Sequence, residues 1–268
     1  MATLKELTAK SLKEYLEIID SLVHNPLDPV WFRGVGDAAY KLIPSLYRHP
    51  TARDKKELLD LEKDILIRFQ ERSLPYLSAP LNRNWEYLFL MQHYGVPTRL
   101  LDWTENPLVA LFFALTSAKT DDDGNYTKPA AVWVVSPKLW NQKVFAHVSY
   151  KGVSLSISDR LLEPYEPLSG KTSEPPALPA AMFGLHNSPR IVAQRGVFTI
   201  FGSTIQSMDE IFTNDTFPDE SLLKIILPID NIKDLLSKLI STGHTDSMMF
   251  PSLEGLAKEA KRLYGFKE

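Results

Sequence analysis

The sequence predicts an α+β fold, and three observations carry that reading. Apolar residues recur at helical spacing in several charged stretches, and short apolar runs bounded by Gly, Pro or Asn read as strands. The two kinds of element follow one another with no internal repeat and no linker clean enough to divide the chain. Residues 1–268 are therefore read as a single domain. With 44% hydrophobic and 24% charged residues, a chain of this length buries a sizeable core.

From the N-terminus, Leu12, Tyr15, Leu16, Ile18, Ile19 and Leu22 mark a helix within 4–23, part of a leading 1–28 segment. Pro26 and Pro29 end it. Val30-Trp31-Phe32-Arg33-Gly34 reads as a short buried strand stopped by Gly34 and Gly36. A second helix covers 54–72 and a third 84–93, with Gly95 placed to cap the third. Residues 98–103 form the next strand. Asn106 is the cap and Pro107 the first position of a helix through Leu115, which is apolar all round and therefore central. Asp121 to Asn125 is a surface turn leading into a strand at 130–135. Five prolines and little periodicity make 163–180 a long loop. Strands at 197–201 and 223–229 precede a C-terminal helix-turn-helix over 231–264, broken near Gly243 and Pro251.

The balance of 30 Lys+Arg against 33 Asp+Glu leaves a formal net charge of −3. That argues against a generally basic nucleic-acid coat while allowing a local basic cleft. With no cysteine, disulfides, thiolate nucleophiles and Cys-based zinc sites are excluded. A chain of this size without disulfides suits a reducing compartment. The opening Met1-Ala2-Thr3-Leu4-Lys5-Glu6-Leu7 lacks a long apolar run, and no stretch approaches the ~20 apolar residues of a membrane span. The expectation is a soluble cytoplasmic protein without a membrane partner. A Walker-type loop, a Gly-x-Gly-x-x-Gly fingerprint and a Gly-x-Ser-x-Gly elbow are all absent.

Reactive side chains concentrate between Gln92 and Asn106, punctuated by Gly95 and Pro97. His93, Arg99, Asp102 and Thr104 offer an acid/base group, an anion ligand and hydrogen-bonding groups. A packed turn whose polar groups satisfy buried backbone is the competing reading, but packing alone does not need so many reactive types. His93 and Asp102 lack metal-motif spacing, so no metal is expected. Arg33, inside an apolar strand, needs a partner if buried. Its planar fork suits phosphate or carboxylate, and Gly34 lets a ligand approach the backbone. The alternative is a structural salt bridge to a carboxylate such as Asp102. Farther on, Arg190 and Gln194 flank an apolar segment leading through Gly196 into a strand, which read alone is a solvated bend. Phe250 to Leu256 reads as a turn and helix start capped by Ser252 or Glu254, with Glu254 an outside catalytic candidate.

Taken together, these segments resemble the FRG domain, a bacterial and phage-associated family named for a Phe-Arg-Gly motif, here Phe32-Arg33-Gly34. Gln92 through Thr104, Asn106 through Ala110, Gln194 through Phe198 and Met249 through Leu256 complete the set in family order, spanning residues 30–260. The chain is also similar to ADP-ribosyltransferases, whose core opens on a strand carrying an Arg motif and continues through a polar strand into an apolar helix. Here Asp102-Trp103-Thr104 precedes Val109-Ala110-Leu111-Phe112-Phe113-Ala114.

That second resemblance implies an ADP-ribosyltransferase-like split β-sheet core with surrounding helices, and an enzyme that cleaves NAD and transfers ADP-ribose to RNA or protein. In this scheme Arg33, beside Gly34, binds the NAD phosphates or nicotinamide ribose, and Tyr94 or Trp103 stacks on nicotinamide. Asp102 and Thr104 orient the ribose, His93 and Arg99 support the site or steer the acceptor, and Gln194 takes the position of the usual catalytic Glu. Gln keeps that Glu's hydrogen bond but gives up its charge, which Asp102 or Glu254 would supply. The family's genomic company implies a toxin or anti-phage role, with a cognate antitoxin as partner. Two other classes remain open: a non-catalytic nucleotide or nucleic-acid binding module, and a nuclease using His93 and Asp102.

Overall fold

The computed structural model describes residues 2–23, 25, 28–52, 54–77, 79, 81–168, 174–185 and 189–266. The helix stop expected at Pro26 and residues 169–173 of the proline-rich stretch lie outside the described residues.

The chain opens with strand β1 (Lys5–Thr8), not with the helix expected from residue 4. Helix α1 (Leu12–Leu22) begins where Ser11 can cap it, its hydroxyl accepting the Glu14 N–H at 3.2 Å. Strand β2 (Trp31–Val35) follows, then the long helix α2 (Lys55–Ser73), capped by the Asp54 carboxylate. Helix α3 (Asn84–His93) ends in the turn expected of Gly95, whose φ of 75° is the left-handed conformation glycine adopts without strain. Strand β3 (Leu100–Thr104) leads into α4 (Pro107–Thr116), where the Asn106 side chain accepts the Leu108 N–H at 2.9 Å. Six of its ten residues are buried, as an all-apolar helix requires.

Strand β4 (Ala130–Val135) is buried along its whole length and runs into α5 (Pro137–Val144). The C-terminal half holds β5 (Ala180–Phe183), α6 (Pro189–Gln194), β6 (Gly196–Ile200), α7 (Met208–Asn214) and β7 (Leu222–Leu227). The expected helix-turn-helix is three helices, α8 (Ile229–Ser241), the short α9 (Asp246–Met249) and α10 (Leu253–Leu263). The breaks fall at Gly243, with φ of 89°, and at Pro251.

The α+β expectation holds as a mixed α/β protein with one seven-stranded sheet in the order β1-β7-β4-β2-β3-β6-β5. Among the described strands β1 and β7 pair in parallel and the other neighbours are antiparallel. One seam differs from the rest. Strands β2 and β4 pair over five positions and β3 and β6 over five, but β2 and β3 meet only at Phe32 opposite Thr104.

Alternation along the strands distributes two cores. Trp31, Val35, Leu101, Trp103 and Trp133 face one side, against α5 and α7. On the other side Phe32, Val132 and Val134 pack against α1, α4 and α8. A third cluster puts Trp85 and Phe89 of α3 over Leu100, Phe198 and Ile200. Helices α4 and α3 thus cover the two halves of the sheet, and the weak seam runs between them.

Gly34 sets how closely α4 approaches. A Cβ there would lie 1.9 Å from the Ala110 carbonyl oxygen and 2.5 Å from the Ala114 nitrogen. The missing side chain makes room for helix backbone, which corrects the expectation that it makes room for a ligand.

Candidate functional site

Over the seam lies a cleft of about 280 Å³. Strands β2 and β3 form its floor with Phe32, Arg33, Asp102 and Thr104. Helix α3 supplies Gln92 and His93 on one wall, and α4 supplies Ala110 and Phe113 on the other. Helix α6 closes it with Arg190 and Gln194.

The ladder between β2 and β3 stops after Phe32–Thr104, and Arg33 takes over the contact. Its Nη1 donates to the Asp102 backbone carbonyl at 2.6 Å and lies 3.9 Å from the Asp102 carboxylate. Arg33 is a quarter exposed and Asp102 about half (54%), so this pair faces the cleft. Burial holds the Arg33 guanidinium below its ordinary value, with Asp102 opposing and Arg48 reinforcing the shift. It stays charged at neutral pH all the same. Arg190 is lowered in the same way, by burial against the opposing field of Asp102, and its guanidinium stacks 4.8 Å from the Phe250 ring centroid. Two guanidinium groups and a single carboxylate therefore line the cleft, a charge balance that suits an anion.

Asp102 is oriented from α3: Gln92 Nε2 donates to its Oδ2 at 2.7 Å, while Gln92 Oε1 accepts the Thr98 hydroxyl at 2.5 Å. His93 is held below the ordinary imidazole value by burial and by Arg190, so it is neutral at pH 7. Thr104 ties the floor to its surroundings, its hydroxyl donating to the Gln194 carbonyl at 2.5 Å and accepting the Asn106 N–H at 3.0 Å. The Gln194 amide donates to the Met249 carbonyl at 2.9 Å, which ties α6 to α9. Next to it Arg195, at φ 46°, occupies the left-handed region as it turns the chain from α6 into β6.

Of the residues the sequence nominates, Arg33, Gly34, His93, Asp102, Trp103, Thr104 and Gln194 border this cleft. Three others do not, and Trp103 borders it without offering its ring. Arg99 is 2% exposed, with Nε on Glu62 Oε2 at 2.6 Å, Nη1 on the Phe201 carbonyl and Nη2 on the Tyr165 carbonyl, both at 2.8 Å. Its fork is spent inside the fold. Tyr94 is 69% exposed and sits edge-on to His93, outside the cleft lining. The Trp103 ring points into the opposite core, its indole N–H donating to Thr199 Oγ1 at 3.1 Å, so it cannot stack on a cleft ligand. Glu254 lies exposed at the start of α10, away from the lining. Conversely, Gln92, Phe113 and Arg190 enter the site without having been assigned a role. Gln92 had a legible signal one residue before His93; Arg190 needed the fold.

Fold and cleft together define a mixed α/β protein with an arginine-lined cleft at a sheet seam. Residues 28–123 match the family model of the FRG domain, and the Phe32-Arg33-Gly34 resemblance holds for this segment. It runs from the approach to β2 past the end of α4, and so contains the floor and both helical walls but not Arg190 or Gln194. No curated protein and no solved structure matches the chain. Among the described residues, no helix is long and apolar enough to cross a membrane, and no group of three His, Asp or Glu side chains could hold a metal ion.

Proposed function

We propose that the cleft binds NAD and cleaves its nicotinamide–ribose bond, passing ADP-ribose to an RNA or protein acceptor in a toxin or defence setting. The observation that supports this most is the lining of one cleft by Arg33, Asp102 and Gln194, which come from three separate parts of the chain.

The reaction's demands fit what these residues supply. When the bond breaks, its electron pair returns to the pyridinium nitrogen and nicotinamide leaves neutral, so no general acid is needed. The need is for negative charge near the cationic ribose carbon, and Asp102 is the carboxylate of the cleft. Gln92 and Arg33 hold it in place. Arg33 and Arg190 meet the phosphates as planar cations. Phe113, partly exposed on α4, offers apolar surface for the nicotinamide ring in place of Tyr94 and Trp103. His93, neutral at pH 7, is able to accept the proton that the attacking acceptor loses. At about 280 Å³ the cleft is at the small end for ligand pockets, so it seats the nicotinamide–ribose end and leaves the adenosine at its mouth.

A second reading, a nucleotide-binding module without chemistry, is favoured by the Gln194 amide being engaged with Met249. The two separate in one experiment. Wild type is incubated with NAD labelled in its adenylate, total RNA and total protein, with Asp102→Asn as control. Nicotinamide release and label in either fraction, lost in the variant, support transfer and name the acceptor. Binding of NAD with neither product leaves the module.

A further inference from the structure

Thr98 lies outside the cleft lining and is wholly buried, yet every polar group it carries is engaged. Its position follows from the end of α3. The Gly95 N–H donates to the Gln92 carbonyl and the Val96 N–H to the Met91 carbonyl, which reverses the chain and returns Thr98 beside Gln92. There the Thr98 N–H donates to Ser45 Oγ at 3.2 Å, and its carbonyl accepts the Leu46 N–H at 3.2 Å. The side-chain oxygen accepts the Leu100 N–H at 3.1 Å, and the hydroxyl proton goes to Gln92 Oε1 at 2.5 Å. A hydroxyl fixed on both sides has no proton to turn elsewhere.

That hydroxyl sets the direction of an amide. A carboxylate only accepts, and the Thr98 hydroxyl has one proton to give, so Gln92 turns its oxygen to Thr98 and its nitrogen to Asp102. A reversed amide would set Oε1 against the Asp102 carboxylate and leave the buried Thr98 proton without an acceptor. Held this way, Gln92 Nε2 takes Asp102 Oδ2 at 2.7 Å, the oxygen that also faces Arg33 at 3.9 Å. Among the described residues Asp102 Oδ1 accepts no hydrogen bond, which leaves that oxygen for a ligand. We infer that Thr98 is a positioning residue, orienting the Asp102 carboxylate toward the ribose carbon through Gln92, a role that rests on the proposed cleavage of NAD.

Steady-state nicotinamide release, with NAD binding followed by calorimetry, tests this role. Thr98→Val, close to threonine in shape but without the hydroxyl, is expected to lower kcat roughly tenfold. NAD affinity stays unchanged, because Arg33 and Arg190 meet the phosphates. Thr98→Ser keeps the hydroxyl and retains near wild-type turnover. Gln92→Leu, at a half-buried position, should show the same loss, and it decides the matter should Thr98→Val fail to fold. Adding Thr98→Val to Gln92→Leu should cost nothing more, since both changes cut one chain of hydrogen bonds. Losses that multiply in the double variant, or wild-type turnover in Gln92→Leu, from an active wild type, overturn the role of Thr98 alone. A wild type that releases no nicotinamide overturns the cleavage of NAD and takes this role with it.

Discussion

Arg33 lies inside an apolar strand and Arg99 immediately before one, since β3 starts at Leu100 and not at 98, and the fold uses the two in opposite ways. Arg99 reaches one carboxylate and two backbone carbonyls, all at 2.6–2.8 Å, and is almost wholly buried. Burial alone would lower its pKa, but Glu62 and the two tyrosines Tyr47 and Tyr165 outweigh it and raise it. Arg33 makes its hydrogen bond and its ion pair with Asp102, the ion pair a loose 3.9 Å, and remains a quarter exposed. A guanidinium whose donors are spent inside the protein holds the fold together. One that is held at a seam with a single carboxylate is ready for an anion. The difference lies in the surroundings, which residue type does not reveal.

Breaking the Arg99 side of this comparison has the largest effect. Glu62→Ala strands a buried cation and is expected to cost about 3–5 kcal/mol of stability, against no more than about 1 for Arg33→Ala, as read by denaturant unfolding. Equal losses would erase the distinction. Asp102→Asn sharpens the other side: turnover of NAD should fall by roughly 10²–10³ while NAD still binds. Arg33→Ala should instead weaken NAD binding by roughly a hundredfold, measured by calorimetry. Gly34→Ala tests the seam itself, since its Cβ would meet helix backbone at 1.9 Å. Overpacking of that kind costs about 1–3 kcal/mol, visible as a lowered melting temperature with no ligand present.

The smallest effect is a pH dependence from His93. Its folded pKa lies below the ordinary 6.5, so at intermediate pH the unfolded chain binds more protons and stability rises with pH. The contribution is complete above pH 6.5 and is lost as pH falls through the folded value. His93→Gln should flatten that part of the stability profile, and an unchanged slope would assign it to another group.

What was legible in the sequence is what local chemistry determines. Asn106-Pro107 announced the start of α4, Gly95 the end of α3, and the uniformly apolar Ala130–Val135 a buried strand. Strand β1 was not legible, because Lys5–Thr8 is largely exposed and owes its form to pairing with β7, more than 200 residues away. Helix α6 has six residues, too few for a period to show. Within the site, Arg33 and Asp102 were nominated correctly as neighbours. Arg99 was misassigned because Glu62, its partner, is on a different helix, and Trp103 because strand register, not residue type, turned its ring to the far core. Arg190 reaches the cleft only through the packing of α6.

The proposed function rests on Arg33 at the β2–β3 seam meeting the phosphates of NAD. Calorimetric titration of NAD into wild type, Arg33→Ala and Asp102→Asn tests it most directly. Wild type and Asp102→Asn should bind, and Arg33→Ala should bind roughly a hundredfold more weakly, with all three proteins folded. Binding of equal strength in Arg33→Ala and wild type, or none in any of the three, would contradict it.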